Sequence, residues 1–209
     1  MVFLFGVASS PIVYPATQLE AVTEFDSIKN LSTNSGASVD PAISASGNNA
    51  YVIWSDNTPG NNEIIFRAST DGGKTFSTGS EGRLTNTAAA SLTPKISSSG
   101  NDVYVVWIEK DSSGKGDVHC RASHDLGSSF GDIENISNSG TAAQAQVAAG
   151  GNNVYVAWSD AKSGNRDIYI SSSSDGVESF GTAINLSNNA GISDQPQIAA
   201  TDDGRIYVV

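Results

Sequence analysis

The sequence predicts an all-β fold, a β-propeller of four-stranded antiparallel blades, and three recurrences carry that prediction. The tetrads YVIW (Tyr51 to Trp54), YVVW (Tyr104 to Trp107) and YVAW (Tyr155 to Trp158) are one element, begun a fourth time at Tyr207; the tyrosines stand 53, 51 and 52 residues apart. Ahead of each lies a partner element: PAI at Pro41, PKI at Pro94, AQV at Ala145 and PQI at Pro196. The turn between the two is SGNN, SGND, GGNN or TDDG, so each pair reads as a hairpin of first and second strands.

A third strand follows each Trp after a polar loop: EIIFRAS (Glu63 to Ser69), DVHCRAS (Asp117 to Ser123) and DIYISSS (Asp167 to Ser173). A tight turn then leads to Phe76, Phe130 or Phe180 and to a fourth strand ending RLT, NIS or NLS. Four short strands repeating about every 50 residues, with no helical period, describe propeller blades. The expected division is an orphan fourth strand at 24–32, blade 1 over about 39–86, blade 2 over about 92–138, blade 3 over about 143–188 and part of a blade 4 over about 194–209. The orphan strand is expected to close a ring by pairing with a last blade. Three blades and pieces of others read as an open fragment of a six- or seven-bladed ring, the remaining blades belonging to the same protein.

Composition narrows the function classes. The formal charge of −11, from 22 acidic and 11 basic residues, opposes binding to nucleic acid or anionic lipid. The single cysteine, Cys120, allows no intrachain disulfide. No apolar stretch is long enough for a membrane-spanning helix. Residues 1–23 are expected to be a signal peptide and leader: Met1 to Ala8 (MVFLFGVA) is apolar and runs into Ser9, Ser10 and Pro11. The segment lacks a positive n-region, since the first Lys is Lys29, and its other reading is an ordinary buried strand. An exported protein, extracellular or on the cell surface, is the expectation.

The turn between third and fourth strands is the most specific motif. Ser69-Thr70-Asp71-Gly72-Gly73-Lys74-Thr75-Phe76 and Ser123-His124-Asp125-Leu126-Gly127-Ser128-Ser129-Phe130 both fit S-x-D-x-G-x-[T/S]-F. The third copy, Ser173 to Phe180 with Asp175, carries Val177 in place of the second Gly, which predicts a distorted or different turn. The Asp carboxylate suits turn amides as an acceptor, Gly suits a positive φ, and Phe anchors the turn.

These turns resemble the Asp boxes, or bacterial neuraminidase repeats, of the sialidase-like propeller superfamily, over Phe25 to Val209. The resemblance implies that Asp71, Asp125 and Asp175 are fold-stabilising and lie on the face away from any active site. It also implies, for a catalytic member, arginines gripping a substrate carboxylate, a Tyr–Glu nucleophile, an Asp acid/base and an R-I-P motif near the N-terminus. No R-I-P occurs. Of the five arginines, Arg67, Arg83, Arg121, Arg166 and Arg205, Arg67 and Arg121 are repeat equivalents, with Ser171 in the third copy. Tyr51, Tyr104, Tyr155 and Tyr207 are repeat positions too. Catalytic residues should break the repeat, and none was apparent, so no catalytic residue is assigned.

Cys120, aligned with Phe66 and Ile170, reads as a buried small hydrophobe. His119 and His124 show no pattern of a general base. Asn30, Asn135 and Asn185 are aligned sequons, explained equally by repetition. Asp56, Glu109 and Asp160 follow the tryptophans, and Glu63, Asp117 and Asp167 open the third strands. They are expected to ring the face opposite the Asp boxes, where Ca²⁺ or a hydroxyl-rich ligand would find oxygen acceptors; their plainer reading is soluble strand-end turns. No cofactor is otherwise expected, and no metal is assigned. The leading function is a non-catalytic recognition or scaffold propeller for a glycan, protein or envelope component. The alternatives are a sialidase-like glycoside hydrolase with its catalytic residues elsewhere, and an architectural surface-layer repeat.

Overall fold

The computed structural model describes residues 3–4, 27–77 and 82–209. Every element among them is a strand, and every named pairing is antiparallel. β1 (Phe3–Leu4) pairs with β2 (Lys29–Asn30). Blade 1 holds β3 (Ser38–Ser46), β4 (Asn49–Asp56) and β5 (Glu63–Ser69). Blade 2 holds β6 (Ala90–Ser99), β7 (Asp102–Lys110), β8 (Gly116–Ser123) and β9 (Glu134–Asn135). Blade 3 holds β10 (Ala142–Gly150), β11 (Asn153–Asp160), β12 (Asp167–Ser173) and β13 (Ile184–Asn185). β14 (Ile198–Ala200) and β15 (Ile206–Val208) form the fourth hairpin. The fold is a partial β-propeller, and no helix of the described residues is long and apolar enough to cross a membrane.

In blade 1 the fourth strand shrinks to one bridge, Ile65 to Arg83. The elements that carry most of the expected signal peptide, apart from Phe3–Leu4, lie outside the described residues. Phe3 pairs with Asn30 as His119 pairs with Asn135, so β2 occupies the register of a fourth strand.

Second strands are buried on both faces because consecutive blades sandwich them. Along β4, Tyr51 and Ile53 face blade 2 and join Ile64, Phe66, Leu84, Val103, Val105 and Trp107 in one core. The alternate residues Val52 and Trp54 face the other way, onto Leu31, Ile65 and Phe76. Tyr104, Val106 and Cys120 of blade 2 meet Val154, Val156 and Trp158 of blade 3 in the largest core. Each Trp therefore packs back on the preceding blade, and all three are at most 1% exposed. Indoles so buried cannot act as sugar-stacking platforms.

First strands β3, β6, β10 and β14 stand side by side and form the inner wall. Each complete one carries a bulge absent from the sequence reading: the register slips between Val39 and Ala42, Leu92 and Lys95, and Ala143 and Gln146. The extra residue is left-handed in every copy, at Asp40 (φ 52), Thr93 (φ 49) and Gln144 (φ 54), and Gln195 (φ 58) matches them ahead of β14. Bulges re-aim side chains and bend strands at functional rims, and these four sit at the end of the blades where the second-to-third-strand loops emerge.

Candidate functional site

At the opposite end lie the S-x-D turns, which share one geometry. In the first, Thr75 N and Thr75 Oγ1 donate to Asp71 at 2.9 and 2.6 Å, while Gly73 N donates to Ser69 Oγ at 2.9 Å. The second repeats this at Ser129, Asp125, Gly127 and Ser123. The third does so as well: Ser179 N and Oγ donate to Asp175 at 3.1 and 2.5 Å, and Val177 N to Ser173 Oγ at 3.0 Å. Contrary to the expectation of distortion, Val177 adopts φ 76, close to Gly127 at 79 and Gly73 at 82. The turn is kept and the β-branched residue carries the strain. Phe130 anchors its turn edge-on against Phe66 of the preceding blade, centroids 5.0 Å apart. Phe76 and Phe180 likewise pack on the cores facing their preceding neighbours.

Hydrogen bonds to their ionised forms hold these carboxyls low: those from Ser129 bring Asp125 to about 2, and those from Ser173 and Ser179 bring Asp175 to about 2. Asp71 is lowered the same way, chiefly by Thr75. His124 shifts upward because its Nδ1 meets Asp102 at 2.8 Å, while Nε2 meets the Gly176 carbonyl of blade 3 at 3.0 Å. Only the imidazolium donates from both nitrogens. The depressed carboxyls contribute stability above their unfolded value, about 3.9, which is lost as pH falls through their folded values. The raised His124 contributes stability below about 6.5, which is lost as pH rises through its folded value. Urea midpoints should therefore peak between about pH 5 and 6, and the decline on the alkaline side should flatten in His124→Gln. An unchanged alkaline limb in that variant would rule out the clamp.

The six acidic residues Asp56, Glu63, Glu109, Asp117, Asp160 and Asp167 stand at the ends of second strands and the starts of third strands, with their oxygens engaged inside the blades. Asp56 accepts from Trp54 Nε1 at 3.0 Å, Ser38 Oγ at 2.7 Å, Asn34 Nδ2 at 2.7 Å and Thr58 N at 2.9 Å. Burial pushes its carboxyl up, but the combined hydrogen bonds outweigh burial and hold it well below the usual range. Glu109 accepts from Trp107 Nε1 at 2.8 Å, Ser91 Oγ at 2.7 Å and Thr87 Oγ1. Asp160 accepts from Trp158 Nε1 at 3.1 Å, Thr141 Oγ1 at 2.6 Å and Lys162 N at 3.0 Å. Each acid two residues past a Trp thus ties that indole to the start of the first strand; Asp56 and Asp160 also hold the following loop, and Glu109 instead holds Thr87 in the connection ahead of β6.

The second set reaches the fourth strand. Glu63 binds Arg83 at 3.0 Å and Thr85 at 2.5 Å, Asp117 binds Ser137 at 2.9 Å and the amides of Ser139 and Gly140, and Asp167 binds Asn185 and Ser187, each at 2.9 Å. Asn135 Nδ2 also donates to Asp117, so two of the three sequon amides are tied into blades. Among the described residues, no three His, Cys, Asp or Glu side chains gather as a metal site. Arg121 donates to Leu84 O at 2.7 Å and Phe130 O at 3.3 Å, joining blades 1 and 2. Cys120 is fully buried, and burial pushes its thiol up, away from nucleophilic use.

What remains is a cleft of about 760 Å³ at the bulge end of the inner wall, bounded by β6, β10 and the segment entering β14. Its apolar lining is Leu92, Ile108, Ala142, Ala143 and Ala145, and its polar lining is Thr93, Lys95, Gln144, Gln146, Gln195 and Gln197, with Lys110 from the end of β7 and Arg166 from the loop ahead of β12. No Asp, Glu, His or Tyr is among the described residues that line it. Three of the left-handed residues, Thr93, Gln144 and Gln195, and the residue two further on from each, Lys95, Gln146 and Gln197, line the same space. Sequence reasoning missed it, although the signal was present. Position x of P-x-I is Ala42, Lys95, Gln146 and Gln197, variable in an otherwise constant frame.

Neither protein-family models nor curated protein sequences give a match to the chain. Solved structures do. A sialidase of Trypanosoma rangeli is similar at TM-score 0.55 and 14% identity, over 86% of this chain and 34% of that one. An α-L-arabinofuranosidase of Fusarium graminearum gives 0.53 and 12%, over 78% and 53%. A family 117 glycoside hydrolase of the marine bacterium Zobellia galactanivorans gives 0.52 and 10%, over 78% and 59%. This chain therefore spans between about a third and three-fifths of the length of these neighbours. At such identities the likeness is one of fold, and the fold it shows is the antiparallel-bladed β-propeller.

Proposed function

We propose that the chain is a non-catalytic recognition propeller, acting outside the cell or at its surface, that binds a glycan in the cleft at the bulge end of the inner wall. The observation that carries this is the row of four glutamines on two adjacent inner segments, Gln144, Gln146, Gln195 and Gln197, with no carboxyl, imidazole or phenol among the residues that line the cleft. A carboxamide both donates and accepts, which matches a hydroxyl's own dual role. Glycoside hydrolysis in its usual form needs two carboxyl groups about 5–9.5 Å apart across the scissile bond. The acids nearest this face are instead held by indoles, hydroxyls and backbone amides. On this reading the S-x-D turns are Asp boxes that only stabilise the blades.

A second reading, a sialidase-like glycoside hydrolase, draws on the glycoside hydrolases among the structural neighbours. It takes its acid and base from residues other than those lining the cleft. Affinity electrophoresis against a panel of immobilised polysaccharides, with a reducing-sugar assay on the same preparations, separates the two. Recognition predicts retardation that falls at least tenfold in Gln146→Ala/Gln197→Ala, an unchanged melting temperature, and no release of reducing ends. Sugar release above the blank by purified chain would establish the hydrolase instead.

A further inference from the structure

Three cations of an acidic chain meet in this cleft: Lys95 on β6, Lys110 at the end of β7 and Arg166 ahead of β12. Each breaks the repeat. The equivalents of Lys95 are Ala42, Gln146 and Gln197, those of Lys110 are Asn57 and Ala161, and those of Arg166 are Asn62 and Gly116. Residues serving the blade recur from blade to blade, as Arg67 and Arg121 do, so residues present in one copy serve a place that exists once. The ion pairs among the described residues are Arg83–Glu63, His124–Asp102 and Arg205–Asp203, and none uses the three. Asp111, adjacent in sequence to Lys110, is engaged by Ser113 and by the Lys115 amide. Arg166 Nη1 donates to the neutral Ser159 Oγ at 3.2 Å, so its charge is not offset. In a chain of net charge −11, three cations without an acidic partner around a cleft with no carboxylate in its lining create a local field opposite to that of the whole surface.

We infer that the cleft selects an anionic glycan, one whose carboxylate or sulfate groups are held by Lys95, Lys110 and Arg166 while the glutamines take its hydroxyls. The inference rests on the glycan-site reading and adds the ligand's charge. Arg166 offers a planar fork suited to two oxygens of one group, and the lysines act as point charges at the two other walls. Leu92, Ile108 and Ala145 line the same cleft, and apolar walls of low dielectric strengthen each charge. Repulsion from the acidic surface is screened over about 10 Å at 0.1 M salt, so only groups reaching into the cleft gain from it.

The test uses a triple variant built from the repeat's own residues, Lys95→Gln, Lys110→Ala and Arg166→Asn, each found at the same position of another blade. Native gels containing heparin, polygalacturonate or dextran supply sulfated, carboxylated and neutral probes. The wild-type chain should be retarded by heparin, polygalacturonate or both, with dextran weak. Its apparent Kd for the anionic polymer should rise at least tenfold in the triple variant and with added salt. Heparin alone identifies sulfate as the group, and polygalacturonate alone identifies carboxylate. Equal retardation of wild type and variant, or dextran held as tightly, overturns the anion inference and leaves the glycan site standing. Retardation by none of the three overturns both.

Discussion

Gly127→Val should destabilise the chain by about 3–4 kcal/mol, read as a fall in the urea midpoint at constant slope. Two costs add. Gly127 has φ +79, and a β-branched residue there is strained by about 1–3 kcal/mol. A Cβ at that position would also meet Phe66 Cζ at 2.6 Å and Cε1 at 2.9 Å, and the Phe66 ring is wedged against Phe130 within the core between blades 1 and 2. Gly73→Val separates the terms, because Gly73 has the same backbone (φ +82) with nothing within 4 Å, so only the strain of about 1–2 kcal/mol should appear.

Blade 3 shows how the clash is avoided. There Val177 occupies the turn position, and the strand position equivalent to Phe66 is Cys120; both belong to one core. A large strand residue goes with Gly and a small one with Val. Gly127→Val combined with Phe66→Cys should therefore recover more than 1 kcal/mol of the sum of the single effects, a coupling that distant sites do not show. Strict additivity would mean that the two positions do not share volume.

Asp160→Ala should cost about 3 kcal/mol. The residue is fully buried, and its removal leaves Trp158 Nε1, Thr141 Oγ1 and Lys162 N without their acceptor. The buried indole N–H of Trp158, so stranded, costs about 1–3 kcal/mol, and Thr141 and Lys162, both exposed, add less because water can replace their acceptor. Asp160→Asn keeps the shape and one acceptor oxygen and should lose about half as much. A change below about 0.5 kcal/mol in the alanine variant would show that the carboxylate does not lock the indole and is free for a ligand.

The blades were legible because repetition multiplies a weak strand signal: Tyr-Val-x-Trp recurs wherever a second strand must be buried on both faces. The Trp–acid pairing was visible as spacing, but its meaning was not, since W-x-D describes an exposed rim as readily as an indole N–H meeting a carboxylate. Val177 misled because a turn residue's tolerance depends on a residue in another blade, over 50 positions away, as the Phe66–Gly127 contact shows. The bulges at Asp40, Thr93 and Gln144 escaped notice because an αL residue before Pro or Ala leaves no compositional mark. With them went the cleft, whose lining comes from four elements that only the side-by-side first strands bring together.

The claim that the bulge-end cleft is where this propeller meets its ligand is tested most directly by amide chemical-shift mapping of the ¹⁵N-labelled chain titrated with a heparin or galacturonate oligosaccharide. The account predicts shifts concentrated at 93–95, 144–146 and 195–197, with the S-x-D turns at 71–75, 125–129 and 175–179 unmoved. Shifts confined to those turns, with the cleft silent, would contradict it.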